Sequence, residues 1–169
     1  MKKNKNYLDT TEGRLNQLRH LMILVVFLSP FILMMTESKL IIINEMIMLA
    51  GAFIAMIGAA VSLPINFKIM GSILRKNVLR KDGPFKYCRN PFYLGQTMFI
   101  AGAGIMVLCW MNIVAIILLI ILTHLTIKAE EKKLKEKFGN DYARYKAVTP
   151  RYFPKNLTEF IKSIYAKAD

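Results

Sequence analysis

The sequence is short of the residues that build most metal and nucleophilic centres. Its 169 residues include two cysteines, Cys88 and Cys109, and two histidines, His20 and His124. No Cys/His grouping has the spacing of zinc ligands, so no metal site is expected. The cysteines fall on opposite sides of one span in the reading below, which argues against a disulfide. There is no nucleophile-elbow pattern and no glycine-rich phosphate loop. Acidic residues are scarce: 11 Asp and Glu stand against 24 Lys and Arg, for a net charge of +13. The most telling lack is of charge itself over long stretches. Leu21–Met35, Met46–Phe67 and Asn90–Ile127 contain no Lys, Arg, Asp or Glu.

Hydrophobic residues make up 54% of the chain. High charge and high hydrophobicity coexist here because they are segregated, which is the pattern of a multi-pass membrane protein. The first apolar block follows basic residues, as a secretory signal would. Pro30 is followed by further apolar sequence instead of a small-residue cleavage site, and more apolar blocks come later. The first span is placed at about 20–36, with Pro30 as a kink, and the second at about 43–65. In the second, Gly51, Ala55 and Ala59 recur every four residues, a stripe that lets a neighbouring helix pack closely.

The run from Asn90 to Ile127 is too long for one crossing. As a single helix it would extend about 57 Å, against a hydrocarbon core about 30 Å thick. It has to fold back. Trp110-Met111-Asn112 lies near its middle and supplies an interfacial aromatic and a turn former. Spans at about 91–109 and 112–128 follow. Basic residues set the orientation. Five lie before the first span, seven in 66–90 and eleven from Lys128 onward, whereas 37–45 has only Lys39 and 110–112 has none. Four spans with both termini in the cytoplasm satisfy the positive-inside rule. The positive charge is then accounted for by anionic lipid headgroups, with no need of nucleic acid.

The expected fold is an all-α membrane protein. It is one multi-pass domain over residues 1–169, with about four transmembrane helices. The third and fourth spans form a helical hairpin, segments 66–90 and 129–169 are cytoplasmic, and the tail is amphipathic. Leu134, Phe138, Tyr142 and Tyr145 form an apolar stripe. Phe138-Gly139-Asn140 marks a break, and Leu157–Ala166 is expected to form a short interfacial helix. In a bacterium the location would be the cell inner membrane.

Few polar groups are available for chemistry at the cytoplasmic face: Arg89, Asn90, Tyr93, His124, Lys128, Glu130 and Glu131. His124, Lys128 and Glu131 share one helical face; Thr123, Ile127 and Glu130 share the next. A His within a span is a functional candidate, or a neutral His bonded to a neighbouring helix. Lys128 also suits a plain interfacial anchor. The two glutamates run against the basic trend around them. They either hold a cationic ligand group or form a solvated pair balanced by Lys132–Lys137.

Two polar motifs flank the long apolar run. Before it stand Gly83-Pro84-Phe85 and Arg89-Asn90-Pro91-Phe92-Tyr93. After it stand Glu130-Glu131-Lys132-Lys133-Leu134, then Phe138-Gly139-Asn140-Asp141-Tyr142-Ala143-Arg144-Tyr145, then Thr149-Pro150-Arg151-Tyr152-Phe153-Pro154. In order and spacing these resemble the integral-membrane superfamily of isoprenylcysteine carboxyl methyltransferases and phospholipid methyltransferases, over residues 77–154. The resemblance implies S-adenosylmethionine as methyl donor, bound by Leu79, Arg80, Phe85, Arg89, Asn90, Pro91, Phe92, Tyr93 and Glu130. It implies a lipid or lipid-linked acceptor, nominally an isoprenylcysteine-type carboxylate, with His124 and Lys128 toward the substrate. A phospholipid or other small molecule methylated at N or S is the alternative. Asn90 stands where the prenylcysteine branch has His and matches the phospholipid branch. Asn77 replaces a second His of that branch, and Thr126 replaces a substrate-facing Arg. A non-catalytic membrane scaffold is the competing class. A small transporter fits poorly, because there is no internal repeat.

Overall fold

The computed structural model describes residues 11–35, 44–70, 78–107 and 109–166. Asn77, the connection at 36–43 and the first ten residues lie outside the described residues. The described residues form five α-helices and no strand: α1 Thr11–Met35, α2 Glu45–Met70, α3 Pro91–Met106, α4 Trp110–Val148 and α5 Leu157–Tyr165. A 3-10 turn, Gly83–Lys86, precedes α3.

Three helices are long and apolar enough to cross a membrane: Gly13–Ile32, Glu45–Phe67 and Trp110–Val148. Their outward faces are apolar. Leu24 and Phe31 of α1, Phe53 and Met56 of α2, and Ile117 and Ile121 of α4 are all exposed. An apolar surface of that extent belongs against lipid. α3 has 16 residues, or about 24 Å, which is short for a span. It packs against α2 with little but backbone between them.

That closeness comes from glycine. A Cβ on Gly58 would lie 2.3 Å from the Phe99 backbone nitrogen, and one on Gly102 would lie 2.4 Å from that of Ala55. Neither distance leaves room for a side chain, so the helices approach this closely only because both positions are bare. The α2 face that meets α3 runs Gly51, Ala55, Gly58 and Ser62, not Gly51, Ala55 and Ala59. The 3.6-residue period moves the stripe off a strict four-residue spacing within two turns.

Contacts along the chain give the directions. Gly51 faces Gly102 and Met106 while Gly58 faces Gly95 and Phe99, so α2 and α3 are antiparallel. Ser29 meets Asn112, and Val26 clusters with Ala115 and Leu119, so α1 is antiparallel to α4. One end of the protein therefore collects the start of α1, the end of α2, the start of α3 and the later half of α4.

At the opposite end, α3 stops at Met106 and α4 starts at Trp110. α4 has therefore already begun at 110–112, where the sequence suggests a turn. Asn112 lies inside α4 and is fully buried. Its amide donates to the carbonyls of Gly104 (3.3 Å) and Val107 (2.8 Å), and its oxygen accepts from the Ser29 hydroxyl (2.7 Å). Carbonyls at a helix end lack partners within the helix, and Asn112 supplies one from the next helix.

The later half of α4 carries the polar motif. It bends at Gly139, whose φ of +51° lies in the left-handed region that glycine tolerates. α5 begins with Asn156 as N-cap; its side chain accepts from the Glu159 amide (3.1 Å), as such caps commonly do. Phe160 and Ile164 pack with Ile65 of α2 and with Cys88. Burial of each stabilises the attachment by about 2 kcal/mol.

Candidate functional site

The two polar motifs, far apart in sequence, are sewn together. The Arg89 amide donates to the Pro150 carbonyl (2.9 Å), and the Asn90 amide side chain to that of Arg151 (3.2 Å). The Cys88 thiol donates to the Tyr152 carbonyl (2.8 Å). The Tyr145 hydroxyl, from the end of α4, donates to the Phe85 carbonyl (2.7 Å). Residues 83–90 thus lie along residues 145–152. Pro91 opens α3 at the first helical position, where its missing N–H is no loss. Burial raises the Cys88 thiol to about 11, so it stays protonated and acts as a donor.

Glu131 ties the same elements by charge. Its carboxylate is 3.0 Å from Arg89 Nη2 and accepts from Arg151 Nε (3.1 Å) and Nη2 (2.7 Å), with Lys146 Nζ at 3.9 Å. Glu131 is buried, and this two-pronged arginine pairing is the strongest form of ion-pair hydrogen bonding. The hydrogen bond to Glu131 raises the pKa of Arg151. Arg89 also donates from Nη1 to the Lys146 carbonyl (2.9 Å), so its guanidinium is largely engaged by the protein itself.

Glu130, one residue earlier, points a different way. It accepts a hydrogen bond from the Tyr93 hydroxyl. Both side chains line a cavity of about 430 Å³ at the polar end of the helices. That volume falls within the range of about 300–1,000 Å³ usual for small-molecule and cofactor sites. All nine residues expected to hold the donor line this cavity: Leu79, Arg80, Phe85, Arg89, Asn90, Pro91, Phe92, Tyr93 and Glu130. The walls join aromatic and aliphatic surface to one carboxylate and two guanidinium groups. The Arg80 guanidinium lies over the Phe85 ring, 5.5 Å from its centre.

Four lining residues were not among those expected to hold the donor: Asn66, Val78, Leu134 and Tyr145. Leu134 was legible in principle, one helical turn beyond Glu130. Asn66 stands as a polar residue near the end of an uncharged run. His124 and Lys128 are not in the cavity wall. His124 Nδ1 is 2.6 Å from the Tyr152 hydroxyl, and Lys128 is exposed. Thr126 is buried and donates to the Leu122 carbonyl (2.8 Å).

A bundle of apolar helices with a cavity at one end, lined in part by a Tyr–Glu pair, is that of an integral membrane protein. The phospholipid methyltransferase family model matches residues 39–141, well over half of the chain. The protein belongs to that family, within the superfamily of isoprenylcysteine and phospholipid membrane methyltransferases, and is a membrane methyltransferase. No curated protein and no solved structure matches it.

Proposed function

We propose that the cavity binds S-adenosylmethionine and that the protein methylates a lipid or lipid-linked acceptor at the membrane surface. One observation carries this reading: Tyr93 and Glu130 meet in a cofactor-sized cavity lined by the two polar motifs. When bound, the donor supplies an electrophilic methyl group on a cationic sulfonium. The residues present suit it. Glu130 offers the carboxylate for the donor's ammonium, held in place by Tyr93. Phe85 and Phe92 offer apolar surface for the adenosine. Arg80 and Arg89 place positive charge where the donor's carboxylate needs it, with Arg89 also anchoring the wall through Glu131. Transfer of this kind depends on alignment and exclusion of water, and little on acid–base help.

For the acceptor, the lipid amine is favoured over the isoprenylcysteine carboxylate. The position that faces a carboxylate in the prenylcysteine branch is Thr126, whose hydroxyl is buried and turned to its own helix. Four crossings, with α3 as the short third member of a hairpin and both termini cytoplasmic, complete the proposed topology. Calorimetry with S-adenosylmethionine on the detergent-purified protein tests the reading. Binding that is weakened by Glu130→Gln is expected; no binding by the wild type would leave a non-catalytic scaffold.

A further inference from the structure

The start of α1 contains a side chain that the donor site does not use. Arg19 is 5% exposed. Its Nη2 donates to Asn16 Oδ1 (2.9 Å). Its Nε and Nη1 are buried and have no hydrogen-bond partner among the described residues. Buried guanidinium donors left without acceptors are costly, and in a membrane protein a buried charge of this kind marks a functional position.

The place of Arg19 is specific. Its guanidinium lies over the Tyr93 ring, 4.7 Å from the centre, and Tyr93 in turn donates to Glu130. Tyr93 and Glu130 line the donor cavity, whereas no residue of α1 does. The Tyr–Glu pair therefore stands between the cavity and Arg19. Leu18 and Leu21, on either side of Arg19 along α1, are about half exposed and face outward. The Arg19 guanidinium itself is turned inward, over Tyr93.

We propose that Arg19 is the anchor for the phosphodiester of a phospholipid acceptor. The unpaired Nε and Nη1 donors supply what a phosphate oxygen accepts, and arginine is the side chain best suited to that group. With the phosphate held there, a headgroup amine would lie beside Tyr93 and Glu130, the two residues that also line the donor cavity. Nitrogen then forms the new bond to the methyl carbon, the carbon–sulfur bond breaks with its electrons left on sulfur, and the nitrogen loses a proton to solvent. Arg19 thereby selects phosphate-bearing amines over amines without a phosphate. The inference rests on the methyltransferase reading above, and the tests below separate the two.

The test compares wild type, Arg19→Met and Arg19→Lys as full-length protein in detergent. Two acceptors are used: dihexanoyl phosphatidylethanolamine, and sphingosine, an amine without phosphate. Arg19→Met is expected to raise KM for the phospholipid about ten- to a hundredfold. It should leave KM for sphingosine unchanged and should not weaken the affinity for S-adenosylmethionine, because the charge removed opposes the donor's ammonium. Arg19→Lys should give a partial loss in the same direction. An equal loss of donor affinity would assign Arg19 to the donor's carboxylate and overturn the proposal, as would equal effects on both acceptors. A second readout needs no turnover and no variant. Dihexanoyl phosphatidylethanolamine should raise the thermal stability of the wild type more than sphingosine does, even without donor. Equal shifts would overturn the phosphate anchor. Failure of the wild type to bind S-adenosylmethionine would instead overturn the methyltransferase reading.

Discussion

The Tyr93 hydroxyl donates to the Glu130 carboxylate, joining the first turn of α3 to α4 across 37 residues of sequence. If the pair holds the donor's ammonium, removing the charge has a measurable effect. Glu130→Gln keeps the shape and should weaken S-adenosylmethionine binding about ten- to a hundredfold. Tyr93→Phe removes one hydrogen bond and should cost about tenfold at most. Calorimetry in detergent reads both. Wild-type affinity in both variants would exclude the pair from the donor site.

Glu131 has the opposite assignment, to stability. Glu131→Ala leaves Arg89 and Arg151 facing each other with no carboxylate between them, at a cost of about 3–5 kcal/mol. The expected result is a marked fall in unfolding temperature. A variant as stable as the wild type would show that the ion-pair cluster carries no such weight.

The contact between α2 and α3 should tolerate no side chain at Gly58 or Gly102. Gly58→Ala puts a methyl group 2.3 Å from the Phe99 nitrogen, and separating the helices to admit it should destabilise by about 1–3 kcal/mol. Gly102→Val should do more. Thermal unfolding is the measurement, and a neutral Gly58→Ala would mean the helices sit farther apart in solution.

Cys88 gives a prediction with a pH sign. Burial raises its thiol to about 11, so the folded protein holds this proton more tightly than the unfolded chain. The associated stability is fully present below the unfolded pKa of about 8.5 and is lost as pH rises through about 11. At pH 8 the native protein should react slowly with iodoacetamide at Cys88, and denaturant should release the reaction. Peptide mapping follows it apart from Cys109. Rapid alkylation of the folded protein would contradict the burial.

Much of the architecture could be read from residues alone. The apolar helices α1, α2 and α4, the bend at Gly139 and the amphipathic α5 all follow from hydropathy, a glycine and a short periodicity. The polar motifs around Asn90 and Glu130 were equally visible. The start of α4 at Trp110 was not, because Asn112 looks like a turn former. Only a neighbouring helix end with open carbonyls, together with Ser29, makes it a buried bridge. The packing stripe was half legible: Gly51 and Ala55 stand out, but the choice of Gly58 over Ala59 depends on which face of α2 meets α3.

The sequence by itself determined that this chain enters a membrane and that the 90–127 run is too long for a single crossing. Hydropathy and length are sums along the chain and need no neighbour to evaluate. Only the tertiary structure decided how the polar residues divide their work. Glu130 and Glu131 are adjacent and chemically identical, yet they project about 100° apart around α4. One meets Tyr93 at the cavity, and the other meets Arg89 and Arg151 in the clamp. Arg19, one of five basic residues before the first span in the sequence, becomes a buried guanidinium over Tyr93 because α1 packs that turn inward. Direction around a helix axis is set by what packs against it, and no count along the chain contains it.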